Sequence, residues 1–288
     1  MALNTNLCFE EEIYLLTVRD FQKMRQADEK ITMMTAYDYP SAAQAETAGT
    51  DTILVGDSLG NVVLGYDSTT QVTIDDMVHH GKAVRRGAPE TFVVVDMPFM
   101  SYHVSVEEGI KNATYIFQQT DAQALKLEGA SKETVSITNR LTQGGIPVVG
   151  HLGLTPQTVN VMGGYRVQGN NETAGQKLLD DAKRLEEAGI SLLVLECVPK
   201  ELAAVITEAL TIPTIGIGAG VDCSGQVLVY HDLLQYGSHR LPKFVKSYAD
   251  FNHAGVEGLK SYVTEVKQKE FPQDSHAYQI KDKQFLPK

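Results

Sequence analysis

Eight short apolar segments in regular alternation with helix-like segments most constrain what this chain can fold into. The apolar segments are rich in β-branched residues and lie at 31–38, 52–57, 91–98, 122–129, 146–153, 191–198, 212–220 and 226–232. They lack a clean alternation of polar and apolar residues, which is typical of parallel strands covered on both faces. Eight such strands separated by helices predict an α/β protein built as a closed (β/α)8 barrel, the TIM barrel.

An open, doubly wound parallel sheet is the structural alternative. Helix starts support the alternation: Ser105 and Glu108 have the spacing of a capping box, and Thr73 with Asp76 forms a weaker version. The weakest point is the connection between the seventh and eighth segments, because "VDCSG" is too short for a helix. Both sheet types therefore stay open at this level.

Length and charge limit the domain organisation and the partners. A chain of 288 residues, 43% hydrophobic, suits a single barrel domain over 1–288, with its core at about 30–250 and C-terminal helices and a polar tail at about 251–288. Additional helices are expected at both ends of the barrel. A formal net charge of −11 disfavours nucleic acid as a partner.

The cysteines and the first residues of the chain predict the cellular compartment of the protein. Cys8, Cys197 and Cys223 are an odd and scattered set, which argues against disulfides and for a reducing environment. The first residues lack the basic region of a secretory signal, and no apolar run is long enough for a membrane span. A cytoplasmic location, without membrane association, is expected.

Acidic residues end several of the predicted strands. Asp57, Asp96, Glu128 and Glu196 end the second, third, fourth and sixth segments, and His151 ends the fifth. The carboxyl ends of barrel strands share one rim, so these side chains are expected to converge. A single such acid is readily explained as the start of a loop, but four on nearby strands imply a divalent cation, a raised pKa, or both. Oxygen ligands favour Mg²⁺ over Zn²⁺.

Lys126 lies two residues before Glu128 and therefore on the same strand face. It is either a counter-ion for the carboxylates or a group that holds the carboxylate of a substrate, and both interpretations are kept. The site predicts metal-assisted chemistry on a small oxygen-rich anion, such as enolisation of a 2-oxo acid. Tyr165 and Arg166 lie in the glycine-flanked "MGGYRVQGNN", which could form a mobile loop over such a site.

Nine blocks in this order carry a resemblance to a known family. They are "TAYDYPSA", "VGDSLGNVVLGYDSTTQVTIDDMVHH", "VVVDMPFMSY", "ALKLEG", "GHLGLTPQ", "GGYRVQG", "LLVLECVP", "IPTIGIGAG" and "PKFVKSYAD", and the likeness covers about residues 15 to 270. The chain resembles the ketopantoate hydroxymethyltransferase family. This implies a barrel of the phosphoenolpyruvate/pyruvate type that transfers a one-carbon unit from 5,10-methylenetetrahydrofolate to 3-methyl-2-oxobutanoate, giving 2-dehydropantoate for pantothenate and coenzyme A biosynthesis.

The resemblance also implies roles for individual residues, and at each of these positions this chain has the residue type that the family has. Asp57, Asp96 and Glu128 would bind one Mg²⁺ per subunit, and Glu196 would be the proton acceptor, its pKa raised by an apolar setting. The substrate would be bound by Lys126 and by Ser58, together with Asp57 and Asp96. His151 would have a supporting polar role. The family also implies a homo-oligomer, a decamer.

Two rival functions are kept. A Mg²⁺-dependent carbon–carbon lyase or a mutase of the same barrel superfamily would use a similar acid cluster. Such enzymes commonly have a reactive cysteine in a "KRCGH"-like loop, and no such loop occurs in this sequence. A non-catalytic scaffold is less favoured, since an acidic cluster at a rim would lower stability without a compensating function.

Overall fold

The predicted barrel is observed. The computed structural model describes residues 15–237 and 240–281, and its eight strands close in chain order, each parallel to its neighbours. β8 pairs with both β7 and β1, which excludes the open sheet. The strands are β1 Ile31–Thr35, β2 Thr52–Val55, β3 Phe92–Asp96, β4 Ala124–Glu128, β5 Val148–Gly153, β6 Leu192–Glu196, β7 Thr214–Ile217 and β8 Gly225–Leu228.

Helices follow most of the strands. No helix occupies residues 218–224 between β7 and β8, as the short connection predicted, and the barrel closes nonetheless. The helices are α1 Val18–Gln26, α2 Tyr39–Thr47, α3 Leu59–Val62, α4 Ile74–Gly87, α5 Val106–Thr120, α6 Lys132–Gln143, α7 Val159–Met162, α8 Glu172–Glu187, α9 Lys200–Ala209, α10 Tyr230–Leu233 and α11 Phe251–Gln268.

Two of the predicted strand ends are corrected. β2 ends at Val55, so Asp57 lies two residues beyond the strand. His151 does not end β5, because that strand stays paired with β6 as far as Gly153, opposite Glu196. Asp96, Glu128 and Glu196 are the last residues of their strands, as predicted.

Apolar side chains fill the barrel below these polar ends. The interior contains Met33, Leu54, Phe92, Val94, Ala124, Val149, Leu192, Val194, Ile215 and Val227, which alternate along their strands with residues that face the helices. Helix α1 closes the amino end of the barrel, where the Phe21 ring lies edge-on to Phe92 with centroids 5.1 Å apart. The interior is therefore a packed core, and only its carboxyl end is polar.

The helix starts differ in detail from the prediction. Thr73 and Asp76 form a complete capping box, in which each side chain bonds the other residue's backbone N–H, at 3.2 and 2.9 Å. Ser105 accepts the N–H of Glu108 at 3.1 Å without the reciprocal bond, so only half of that box forms. The sequence spacing located both helix starts but ranked them in the wrong order.

The chain divides into two compact units. Of the described residues, one unit comprises 15–230 with 242–245 and contains the whole barrel; the other comprises 231–237, 240–241 and 246–281. In the second unit, the C-terminal helices expected at about 251–288 correspond to α11, an 18-residue helix without a buried residue, and residues 240–250 form no helix. A single folding domain over 1–288 stays a prediction.

Cys8 and the first residues of the chain, on which the expectation of no secretory signal depends, lie outside the described residues. Among the described residues, no helix combines the length and the apolar character that crossing a bilayer requires.

Candidate active site

The polar residues predicted from strands β2 to β6 meet at the carboxyl end of the barrel. Asp96 is the register partner of Lys126, and Glu128 is the register partner of His151. Each continues the inward-facing alternation of its strand: Asp96 follows Phe92 and Val94, and Lys126 and Glu128 follow Ala124. The sequence brings these side chains together because the period of two is kept to the last strand residue.

Asp57 and Asp96 are neighbours in a buried setting. The backbone N–H of Asp57 donates to Oδ2 of Asp96 at 3.0 Å, and the two residues are only 4% and 2% exposed. Burial, together with the charges of Asp96 and Glu128, raises the pKa of Asp57 well above its usual range. Burial also raises the pKa of Asp96, although Lys126 opposes the shift. The raised pKa expected from crowded carboxylates is thus present.

Lys126 lies between two of the carboxylates. Its Nζ is 3.1 Å from Oδ1 of Asp96 and 3.9 Å from Oε1 of Glu128. Burial alone would lower the pKa of this ammonium, but Asp96, Glu128 and Asp57 raise it above the usual range, so Lys126 is charged. The contact with Asp96 is an ion pair without hydrogen-bond geometry, which leaves Oδ1 of Asp96 buried and without a hydrogen-bond donor.

His151 lies between two acids, and its Nδ1 is also 3.3 Å from Nζ of Lys126. Nδ1 lies 3.2 Å from Oε1 of Glu128, and Nε2 lies 3.3 Å from Oε2 of Glu196. Burial and Lys126 would lower the pKa of His151, but the two carboxylates raise it to about 9. The imidazole is therefore charged near neutral pH. Burial would raise the pKa of Glu128, but the His151 hydrogen bond and the charges of His151 and Lys126 lower it overall.

Gln157 and Tyr102 belong to the cluster, although sequence reasoning did not assign them a role. Nε2 of Gln157 donates to Oδ2 of Asp57 at 2.8 Å, and the backbone N–H of Gln157 donates to Oε2 of Glu128 at 3.1 Å. Tyr102 donates its hydroxyl proton to Oε1 of Gln157 at 3.0 Å. Both residues follow strand ends within blocks that carry the resemblance, "GHLGLTPQ" and "VVVDMPFMSY", and that position was the available signal.

Ser58 lies at the edge of the cluster with a partner that was also missed. Its Oγ is 2.8 Å from the hydroxyl of Tyr37, whose ring is buried. Ser58 is half-buried, so its hydroxyl is fixed by Tyr37 while the residue stays partly accessible. Both come from loops that follow strands, β1 for Tyr37 and β2 for Ser58.

The glycine-flanked loop contains a tyrosine that responds to the charges of the site. Burial, followed by Glu196, Asp57 and Glu128, raises the pKa of Tyr165, although the side chain is largely exposed. Arg166 is exposed as well. A covering role for this loop stays a prediction.

The cluster holds four carboxylates against one ammonium and one imidazolium. Within residues 15–237 and 240–281, no group of three or more histidine, cysteine or acidic side chains is arranged to hold a metal ion. The arrangement can bind a small anion through Lys126 and accept a proton at a carboxylate.

Comparison with known proteins identifies the family. The family model described as ketopantoate hydroxymethyltransferase matches residues 15–274. A 3-methyl-2-oxobutanoate hydroxymethyltransferase of Bacillus cereus strain B4264 is 60% identical over 270 residues, which are 94% of this chain and 97% of the relative. The chain belongs to the ketopantoate hydroxymethyltransferase family. An enzyme of the same name from Geobacillus thermodenitrificans is 59% identical over 94% of this chain and 96% of its own.

Solved structures agree with the fold of a ketopantoate hydroxymethyltransferase. A phosphonopyruvate hydrolase solved with oxalate and Mg²⁺ superposes with a TM-score of 0.59 over 92% of this chain and 93% of its own, at 10% identity. A 2,3-dimethylmalate lyase of the PEP mutase/isocitrate lyase superfamily has a TM-score of 0.56 over 94% and 92%, at 15% identity. These likenesses concern the barrel alone.

Family membership decides between the classes of function. The chain is a hydroxymethyltransferase, hence a transferase, and it is an enzyme rather than a scaffold. Only the shared barrel supports the lyase and mutase alternative, because the sequence identity to those enzymes is low. The function predicted from the sequence is confirmed at this level.

Proposed function

We propose that this enzyme transfers a hydroxymethyl group from 5,10-methylenetetrahydrofolate to 3-methyl-2-oxobutanoate and forms 2-dehydropantoate, a step towards pantothenate and coenzyme A. The observation that carries the proposal is the cluster of four buried residues, Asp57, Asp96, Lys126 and Glu128, with the half-buried Glu196. It occurs in a chain 60% identical over nearly the full length of a relative named for that oxo acid.

The donor set suits one Mg²⁺ per subunit. Asp57 and Asp96 are buried carboxylates with raised pKa values, and Oδ1 of Asp96 has no hydrogen-bond donor, so a cation would relieve both conditions. Both oxygens of Glu128 already have partners, His151 and the N–H of Gln157. Each carboxylate oxygen has a second lone pair, so Asp57, Asp96 and Glu128 would together hold the ion. Mg²⁺ commonly binds proteins through one or two carboxylates and keeps several waters.

The cation supplies Lewis acidity, which makes the proton on carbon 3 of the oxo acid easier to remove. Lys126 and Ser58 bind the oxo acid, Lys126 as the buried cation of the site and Ser58 through a hydroxyl fixed by Tyr37. Lys126 stays charged in the buried cluster because Asp96 and Glu128 lie beside its ammonium group. A charged ammonium group can bind an anionic substrate.

Glu196 accepts the proton. Its side chain is 16% exposed, against 3% for Glu128, so it is the carboxylate of this strand group that opens towards the rim. Nε2 of His151 lies 3.3 Å from Oε2 of Glu196 and would hold this side chain in place. The electron pair left at carbon 3 forms the bond to the methylene carbon of the folate donor as one of the two carbon–nitrogen bonds of that methylene breaks. Water supplies the hydroxyl group as the second carbon–nitrogen bond breaks, and the two folate nitrogens take up the proton held by Glu196 and one proton of that water, which releases tetrahydrofolate.

The test is an assay of tetrahydrofolate formation in the purified enzyme. We expect product only when 3-methyl-2-oxobutanoate, the folate donor and a divalent metal are all present. In deuterated solvent, the metal and the oxo acid alone should exchange the proton on carbon 3. Folate turnover without the oxo acid, or full activity in excess chelator, would contradict the proposal, and cleavage of the oxo acid would favour the lyase alternative.

Ligand variants test the metal assignment. Asp96→Asn and Asp57→Asn should raise the Mg²⁺ concentration needed for half-maximal activity. Asp180→Asn removes a similar charge from an exposed position on α8 and is the matched control. The expected homo-oligomer, a decamer, is tested separately by light scattering on the full chain.

A further inference from the structure

Gln157 contacts two acidic residues of the site: Asp57, which follows β2, and Glu128, which ends β4. Its side-chain amide reaches Asp57, and its backbone N–H reaches Glu128, at 2.8 and 3.1 Å. The residue lies in the short 3₁₀ turn Pro156–Thr158 that follows β5 and is only 3% exposed. Gln157 is buried and its side-chain amide donates to a carboxylate of the site, so it can hold that carboxylate in one orientation.

The orientation of the amide is fixed on all sides. Nε2 uses both of its protons, one on Oδ2 of Asp57 and one on the carbonyl of Met97 at 2.9 Å. Oε1 accepts the hydroxyl proton of Tyr102 at 3.0 Å, and that hydroxyl in turn accepts the N–H of Glu128, also at 3.0 Å. The reversed amide would place Oε1 against two acceptors, the carboxylate and the carbonyl, so Tyr102 and Met97 together select a single orientation.

We propose that Gln157 is a positioning residue for the cation site, and that Tyr102 fixes the orientation of its amide. The Gln157 amide holds Oδ2 of Asp57 at 2.8 Å, and the carboxylate held in this way would present its other oxygen, Oδ1, as the ligand of the cation. This inference rests on the proposed function, since it takes Asp57 to be a ligand of Mg²⁺. It goes further in assigning a role to two residues that the proposed function does not use.

Metal affinity of the folded protein distinguishes positioning from simple packing. Gln157→Met keeps the length of the side chain and loses both amide donors, while the backbone N–H to Glu128 is retained. We expect the dissociation constant for Mn²⁺, measured by electron paramagnetic resonance of the free ion, and for Mg²⁺, measured by competition, to rise about 10- to 100-fold. At saturating metal, kcat should recover most of its value.

Tyr102→Phe is the second variant, because it keeps the buried ring and removes only the hydroxyl. It should weaken metal binding in the same direction and to a smaller degree. Gln143→Met changes an exposed glutamine at the end of α6, on the opposite side of the barrel, and should leave the dissociation constant unchanged. Melting temperatures without metal record any loss of packing separately.

The outcomes separate the two proposals. If the wild type binds Mn²⁺ and both variants bind it within twofold of the wild type, the positioning role is overturned while the proposed function stands, even if the melting temperature falls. If Gln157→Met does not fold, Tyr102→Phe alone decides. If the wild type binds no divalent metal, the metal part of the proposed function fails, and the positioning role fails with it.

Discussion

Nζ of Lys126 lies 3.1 Å from Oδ1 of Asp96, and both side chains are almost completely buried. The two residues are register partners on adjacent strands, so the pair is set by the sheet itself. Lys126 also lies 3.9 Å from Glu128, and it is the only ammonium among the described contacts of the four carboxylates. The cluster therefore depends on this ammonium, together with the His151 imidazolium, for its compensation.

Lys126→Met should lower the free energy of unfolding by about 3–5 kcal/mol, because it leaves buried carboxylates without their counter-ion. Urea unfolding in chelator measures the loss. Lys260→Met, which breaks an exposed pair with Glu257, should change stability by less than about 1 kcal/mol. Equal effects of the two substitutions would show that the buried pair contributes no more to the free energy of unfolding than the exposed pair.

Glu196→Gln should lower kcat severely and leave the binding of the oxo acid nearly unchanged. The amide keeps the shape of the side chain but cannot accept the proton from carbon 3, and loss of a general base typically costs about 100- to 10,000-fold in rate. Single-turnover kinetics and equilibrium binding of the oxo acid measure the two effects separately. Weak binding with normal turnover would contradict the role of Glu196 as base.

The sequence was sufficient for the eight parallel strands because that signal is local, whereas the closure of the barrel depends on the pairing of β8 with β1. Each strand is a short β-branched run, and each inward residue follows from the period of two, so the convergence of Asp96, Glu128 and Glu196 could be predicted without coordinates. The strand ends were less predictable. β5 extends past His151 because of its pairing with β6, which is a property of two strands and not of one segment.

The supporting residues could not be predicted for a different reason. Gln157, Tyr102 and Tyr37 lie in loops, where no periodicity states which way a side chain points. Their partners are up to 100 residues away in the chain, as for Gln157 and Asp57. Hydrogen bonds of this kind depend on how the loops settle on the closed barrel.

Glu186 stabilises the start of β7 from the end of α8. Its Oε1 accepts the N–H and the hydroxyl of Thr211, at 2.6 and 2.8 Å, and the N–H of Ile212 at 3.1 Å. Glu186→Ala should lower the free energy of unfolding by about 1–3 kcal/mol, because bonds to a charged acceptor are lost. Glu187→Ala, at the exposed neighbouring position, is the control and should be nearly neutral in the same denaturation experiment. Similar losses for both would contradict the assigned contacts.

Cys197 should react slowly at neutral pH. Burial and the adjoining Glu196 raise the pKa of its thiol to about 11, and only the thiolate is nucleophilic. Alkylation by iodoacetamide, followed for the Cys197 peptide by mass spectrometry, should therefore accelerate about tenfold per pH unit through pH ~10. Glu196→Gln should move the curve to lower pH and Glu201→Gln should not. A plateau near pH ~9, as for an ordinary thiol, would contradict this prediction.

Gly153 and Gly145 offer a matched pair that separates backbone strain from crowding. Their φ angles are +94° and +91°, but a Cβ at Gly153 would lie 2.2 Å from the carbonyl oxygen of Glu196, whereas one at Gly145 would meet nothing within 4 Å. Gly145→Ala should cost only the strain of its backbone, about 1–3 kcal/mol.

Gly153→Ala should cost more stability than Gly145→Ala and should also lower kcat. The added methyl group must displace the backbone of Glu196, whose carbonyl accepts the N–H of Leu154 at 2.8 Å, and a small displacement of a catalytic group is costly in rate. Thermal unfolding and steady-state kinetics on both variants measure the difference. If Gly153→Ala matched Gly145→Ala in stability and kept full activity, β5 and β6 could separate at this point without moving the base.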